Sequence, residues 1–484
     1  MSDVNAGDLR TINRPEDVSS LYSGVGNQAK AGVEVELAFF DRTSQKPISV
    51  AQNNMLKDMA HDALGAGVWV HNEPTSETVE VSSIAAPLGS LRVVMDDLRK
   101  KMAVVADVAE QIGVKRSYFQ ELPEQSADDL LASIVNVERY HAFFKPYRSD
   151  MRGFAEYFSV SKSNQVSVSY STPDHLLDNV RRLYLLAPFL FLLTDNSAGF
   201  SQGKVLRGHS GMNLRHNGLK EGRGGVPSYV LTARSGEEYI AAHINHVMNN
   251  PLYVYYDADG KIVRVSAGEW TSFNALKDKG LNTATNYFFA QTVLWPDVKI
   301  AALRDSHGAV FGHRYEARMF GVGLHQHQTA LMVVGALAKD DVLAQTVDGL
   351  LAAFGFDPEN PEAARELLDQ AYHAARNHDG QFFDIAYGKG TMREFAKQFA
   401  DIIEPALDAM GFEEEMIPLL TICRSGCTDG KVNRILFPEL LDLLDYQKFY
   451  DPAVFENPNI CGKILFEKDL SRMSDGSSAV ACCA

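Results

Sequence analysis

Cysteine is scarce in this sequence, with five residues among 484. They are too few and too scattered for a disulfide framework, and Cys423-x3-Cys427 lacks the spacing or His partners of a zinc site, so all five are read as reduced thiols. Cys482 and Cys483 close a Ser/Gly/Ala-rich tail, SDGSSAVACCA, whose composition is that of a disordered segment. Basic residues are also in deficit: 46 Lys and Arg against 62 Asp and Glu give a formal net charge of −16. Nucleic-acid and anionic-membrane partners both need clustered positive charge, so neither is expected. The longest apolar run, LYLLAPFLFLL, contains Pro188 and falls short of the roughly 20 residues that span a bilayer. The opening MSDVNAGDLRTINRPEDV carries acids throughout and no apolar core of a leader, which makes the cytoplasm the expected location. Familiar catalytic signatures are missing as well. GFSQGKV is one residue short of a Walker loop and has no Ser or Thr after Lys204, and there is no G-x-S-x-G elbow and no H-E-x-x-H.

Apolar residues make up 45% of the chain, enough for a full core and more than one lobe. The run GVEVELAFFD alternates apolar and acidic positions, as a strand with one polar face does. A helix over NNMLKDMAHDALGAG, a second alternating strand TVEVSS and a long amphipathic helix from Leu91 to Ile112 follow. SVSKSNQVSVSY reads as a further strand, and Asp174 to Thr194 as a helix interrupted by Pro188. Residues 199–227, rich in Gly, Arg and Lys, read as loop. YVYYDADGKIVRV carries the hairpin signal Asp259-Gly260, and RYEARMF reads as a late strand. After about residue 327 the periodicity is helical, with DGQFFDIAYGKG expected as a mobile loop. The expectation is an α+β protein with a mainly antiparallel sheet, one face of which carries carboxylates and Arg.

Glu34, Glu36, Glu80 and Glu316 sit on these strands among apolar neighbours. Side chains at i and i+2 share a face, so Glu34 and Glu36 stand together, and carboxylates gathered in a cleft repel unless cations neutralise them. Mg²⁺ suits such oxygen donors and is commonly bridged to nucleotide phosphates. Arg318 lies on the face of Glu316, where a guanidinium fork can meet a transferred phosphoryl group. Lys204, Arg207 and Arg215 offer further cradles for phosphate or carboxylate. His325 and His327, at i and i+2, share a face only on a strand and are not expected to bind metal.

Taken in order, several segments resemble the glutamate–cysteine ligase family, its plant and proteobacterial branch above all, within the glutamine-synthetase-like superfamily. AGVEVELAFF is similar to its Gly-x-Glu-x-Glu strand and NEPTSETVEVSSIAAPL to its Glu-Pro loop and following strand. ERYHAFFKPYRSDMRG, NQVSVSY and APFLFLLTDNSAGFSQGK are similar to its Arg-Tyr segment, its Gln-Val-Asn/His strand and its Pro-then-Asn-Ser-Pro-Phe-x-x-Gly-Lys run. HRYEARMFGVG is similar to its closing Glu-x-Arg strand. Departures are Thr78, Ser167, Ala198 and Leu324-His325, which replace Gln, Asn or His, Pro and Pro-Trp. The resemblance implies a cup of curved antiparallel sheet holding ATP and Mg²⁺. It makes Glu34, Glu36, Glu80 and Glu316 metal ligands, and gives Arg318 the γ-phosphate. Arg139, Gln165, Asn196 and Arg215 would contact glutamate or phosphate, and Lys204 would contact the nucleotide. It implies a catalytic domain over 1–340, a helical lobe over 341–470 and a tail over 471–484, in a monomer or homodimer. The implied reaction joins glutamate to an amine such as cysteine through γ-glutamyl phosphate. Two alternatives share these residues: a ligase for another amine, and a non-catalytic relative that binds nucleotide or glutamate.

Overall fold

Alternation in KAGVEVELAFFD builds the strand from which the sheet grows. In the computed structural model, β1 (Lys30–Asp41) turns Val33, Val35 and Leu37 into the core and Glu34 and Glu36 to the other face. The structure describes residues 9–431 except 25–27, 45, 66, 68, 118, 123–124, 145–151, 198–199, 203, 206–209, 220–221, 267–268, 270, 305–309 and 379–380. The large sheet also holds β2 (Val70–Asn72), β3 (Thr78–Ser82), β4 (Ala86–Pro87), β5 (Val114–Ser117) and β6 (Ser163–Ser169). Outside it lie small hairpins, among them β7 (Phe200–Ser201) with β8 (Lys204–Val205) and β9 (Val254–Tyr256) with β10 (Ile262–Arg264). Its last strands are β11 (Val298–Arg304) and β12 (Val310–Gly321).

The order is β11-β12-β6-β1-β3-β2, with β4 and β5 also on β1, and every pairing is antiparallel. Strand twist curls this sheet into an open half-barrel. Register decides what the concave face carries. Glu36 stands opposite Glu80, Glu34 opposite Gln165 and Ser82, and Glu316 opposite Ser167 and Lys299. The alternate residues Val79, Val81, Val166 and Val168 point the other way and are fully buried. Burying each such valine stabilises by roughly 1.5–3 kcal/mol. A slip of one residue would exchange the two faces, so this burial fixes the register and with it the site.

Helices cover the apolar face. The chain carries α1 (Val50–Leu64), α2 (Leu91–Gln111), α3 (Ala127–Leu131), α4 (Glu138–Phe144), α5 (Arg152–Val160) and α6 (Pro173–Leu193). Then come α7 (Gly211–Gly218), α8 (Tyr229–Thr232), α9 (Gly236–Asn249), α10 (Ala284–Thr292) and α11 (Gln326–Lys339). The last described helices are α12 (Asp341–Ala353), α13 (Pro361–Arg376), α14 (Met392–Ala409) and α15 (Ile417–Ser425). Buried on nearly all sides, α11 packs on β6 and β1. Two helices cross closely where Gly153 meets Gly218: a Cβ on Gly218 would come within 2.3 Å of the Gly153 carbonyl oxygen, and this approach brings α7 against α5. The helices after residue 340 meet the rest through Arg182 with Asp348 at 2.6 Å and the Phe189 ring against Phe395 and Phe399.

Three expectations are corrected. Pro188 does not interrupt α6, because the surrounding side chains from Tyr184 to Leu193 are all buried and packing outweighs the roughly 3 kcal/mol a helical proline costs. Residues 199–227 are not loop throughout: they contain α7 and the β7–β8 hairpin. The segment expected to be mobile near 379–390 buries Phe382, Phe383, Ile385 and Tyr387 and forms the short hairpin β13 (Ala386–Tyr387) with β14 (Gly390–Thr391). The 471–484 tail lies outside the described residues. Among the described residues, no helix is long and apolar enough to cross a membrane.

Candidate active site

The concave face encloses a cavity of about 440 Å³ whose two sides differ in charge. Glu36, Glu73 and Glu80 form the acidic side, and each offers an oxygen within 4.8 Å of the others. Glu36 and Glu80 arrive by cross-strand register. Glu73 follows β2 and precedes Pro74, which favours an extended backbone at Glu73. Behind it the loop is tied by buried Glu77, which accepts from Thr75 Oγ1 at 2.6 Å and Thr78 Oγ1 at 3.0 Å and lies 3.3 Å from the buried Lys162 ammonium. Glu36 accepts from the Ser163 N–H at 2.7 Å and from Gln165 Nε2 at 2.9 Å.

Burial comes first among the causes that push all three carboxyls upward. Glu36 and Glu73 rise to about 7 and Glu80 to about 8, each helped by the negative charge of neighbouring glutamates. A carboxylate trio of this kind is neutralised either by protons or by a cation. Its donors are all oxygen, the set that hard divalent ions such as Mg²⁺ prefer, so these residues fit that metal.

The opposite side is basic. Glu316 is buried beneath it and accepts from Arg318 Nε and from Arg314, the latter at 2.7 Å, with Ser167 Oγ at 3.3 Å. Burial alone would raise its carboxyl, but Arg318, Arg314 and Lys299 outweigh that and hold it well below the usual carboxylate range. Lys299, across the strand pair, is pushed down to about 7 by burial and then by the Arg318 charge. Arg314 also reaches Glu34 at 3.5 Å. Arg318, Arg314, Lys299 and Glu34 all line the cavity.

Of the residues expected from sequence, Glu34, Glu36, Glu80, Gln165 and Arg318 line the cup; Glu316 lies just under its wall. Arg139, on α4, lies 3.3 Å from the Tyr140 hydroxyl, and its charge favours ionised Glu73. Asn196 is buried away from the cavity and donates to the Val322 carbonyl at 3.1 Å. Arg215 is buried too. It pairs with Asp297 at 2.9 Å, donates to the carbonyls of Trp295 and Pro296, and meets the hydroxyl of Tyr157, a cavity residue. Lys204 begins β8, but its side chain, like Arg207, lies outside the described residues. Sequence reasoning missed Glu73, Lys162, Lys299 and Arg314 as cup residues. One signal was available: Arg314 stands two residues before Glu316, on the same strand face.

Residues 30–247 match the family model for glutamate-cysteine ligase family 2. No curated protein matches the sequence. Among solved structures the chain is similar to the glutamate–cysteine ligase of Francisella tularensis in complex with AMP, at a TM-score of 0.50 and 9% identity, covering 89% of this chain and 88% of that one. A bifunctional glutathione synthetase from Pasteurella multocida matches at a TM-score of 0.45 and 10% identity, covering 93% of this chain and 54% of that one. The likeness in fold extends over most of the chain, and the match to the glutamate–cysteine ligase family model covers residues 30–247.

Proposed function

We propose that the chain is an ATP- and Mg²⁺-dependent carboxylate–amine ligase that joins the γ-carboxylate of glutamate to an amine, with cysteine the acceptor suggested by the family. The observation that carries this reading is the trio Glu36, Glu73 and Glu80, whose raised protonation marks them as built for a cation, facing Arg314 and Arg318 across one cavity. A glutamate γ-carboxylate oxygen attacks the γ-phosphorus of ATP, and the bond to the bridging oxygen breaks to release ADP. The amine nitrogen then attacks the acyl carbon of γ-glutamyl phosphate, inorganic phosphate leaves, and the nitrogen loses a proton.

When bound, Mg²⁺ supplies positive charge to the phosphate oxygens that would otherwise repel the incoming carboxylate. The trio would hold it. Arg318, its guanidinium aligned by Glu316, would bear on the phosphoryl oxygens as charge builds there. Gln165 and the Ser163 N–H fix the Glu36 carboxylate. The cavity walls limit water, which would hydrolyse an acyl phosphate. Residues 1–340 carry this chemistry in our reading, with the later helices as a supporting lobe.

The test is direct detection of γ-glutamyl products from glutamate, Mg·ATP and a panel of amines including cysteine, with ADP measured alongside. Glutamate- and amine-dependent ADP release is expected. If neither ADP nor a γ-glutamyl product exceeds background with any amine, the proposal is wrong; product with another amine and none with cysteine would move the acceptor and leave the activation step standing.

A further inference from the structure

A second cavity of about 560 Å³ shares no wall with the cup, lying between α9, α13 and the Gly222–Pro227 segment. Its volume falls in the roughly 300–1,000 Å³ range of small-molecule sites. Its charge runs against that of the protein. In a chain of formal charge −16, this concavity presents Arg223, Arg365 and Arg376 to a single lining carboxylate among the described residues, Asp369, beside four histidines of which burial holds His243 and His246 toward the neutral form. Asp369 is already engaged by Arg365 at 2.9 Å.

Arg376 is the distinctive cation. One terminal nitrogen meets the neutral Asn217 side chain, while its Nε is buried with no hydrogen-bond partner, and no carboxylate pairs with it among the described residues. Across the cavity, His243 is 4% exposed, accepts from or donates to the Tyr229 hydroxyl through Nδ1 at 3.1 Å, and leaves Nε2 buried and unpartnered. A buried donor without a partner, as the Arg376 Nε–H is, costs roughly 1–3 kcal/mol, a cost that an incoming acceptor removes. The wall between is held rigid, because Asp297 accepts from Tyr372 at 2.7 Å and lies 3.3 Å from His216. Apolar Leu294, Val226 and Pro296 complete it.

We propose that this pocket is a second ligand site, separate from the cup, that takes a small organic polyanion bearing phosphoryl or carboxylate groups, with Arg376 as its principal anchor. The site needs no divalent ion, whereas in the cup without one Glu34, Glu36, Glu73 and Glu80 stand beside the basic groups and oppose an anion. That difference separates the two sites experimentally and makes the result independent of ligase activity.

The full chain in EDTA is titrated by calorimetry with pyrophosphate in one arm and citrate in the other, the two arms distinguishing phosphoryl from carboxylate recognition. Saturable binding of at least one probe is expected, weakened about tenfold by Arg376→Gln, the loss of one charge-assisted contact, and changed less than twofold by Glu80→Gln in the cup. Circular dichroism checks the fold of each variant. If Arg376→Gln does not fold, Arg365→Gln, on the more exposed side of the cavity, replaces it with the same expectation. The proposal is overturned if neither probe binds, if the folded Arg variant weakens binding less than threefold, or if Glu80→Gln abolishes it.

Discussion

Two glutamates on one sheet face, Glu80 and Glu316, meet opposite fates. Both are almost fully buried, yet Glu80 is driven up to about 8 while Glu316 is held far below its ordinary range. The difference lies in what the chain places beside each. Glu316 has Arg314 and Arg318 in contact, so its charge is neutralised from within. Glu80 faces Glu36 and Glu73, whose like charges add to burial in pushing its carboxyl up. One half of the cup is therefore a finished ion-pair network, and the other is one that, in our reading, a cation finishes.

The largest effect should come from the unfinished half. Glu36→Gln with Glu80→Gln is expected to lower kcat for γ-glutamyl product by at least about 100-fold, as loss of central electrostatic stabilisation does. The same change should raise the melting temperature of the metal-free protein, because it removes buried like charges. A double variant that loses both activity and stability would show that the two carboxylates support the fold. In the finished half, Arg318→Met is expected to cost about 3–5 kcal/mol of stability by leaving Glu316 buried with one partner fewer. Chemical denaturation measures it, and a loss under about 1 kcal/mol would break the contrast between the two halves.

Proton linkage sharpens it further. The folded-state values of Glu36, Glu73 and Glu80 lie above the ordinary value near 4.5, so the folded protein holds more protons than the unfolded chain between about 4.5 and 8. The stability they contribute is fully present below about 4.5 and is lost as pH rises through 7 to 8. Thermal melts in EDTA should therefore show falling stability from these groups across pH 5–9, and added Mg²⁺ should raise the melting temperature more at pH 8.5 than at pH 5.5. An equal Mg²⁺ effect at both would contradict the shifts. The smallest expected change is Gln165→Ala, which removes one hydrogen bond to Glu36, worth about 1 kcal/mol. Its KM for Mg·ATP or glutamate should rise a few-fold, with kcat nearly kept.

Much of the finished geometry was legible because it is local. Period-two alternation put Glu34 with Glu36 and Glu316 with Arg318 on shared faces, and it located β1, β3, β6 and β12, with ends within one residue for β3 and up to four residues off for β6 and β12. Partners distant in sequence were not legible. Arg215 sits in a loop-like, basic stretch, yet its destination is Asp297, 82 residues on, in a buried pair that no local pattern announces. Glu73 joins Glu36 and Glu80 only because β2 folds back on β3, and a lone Glu before Pro carries no periodicity. Pro188 misled for the converse reason, since packing around α6 overrides a local preference.

The central claim is that Glu36, Glu73 and Glu80 together hold a divalent cation. It is tested most directly by titrating Mg²⁺ into the full chain by calorimetry at pH 6.5 in buffers of different ionisation enthalpy. Carboxyls pushed up to about 7 and 8 must shed protons when the ion binds. The expected result is proton release at pH 6.5 that disappears near pH 9 and is lost with Glu80→Gln. Binding without proton release at pH 6.5, or binding that Glu80→Gln leaves unchanged, would contradict it.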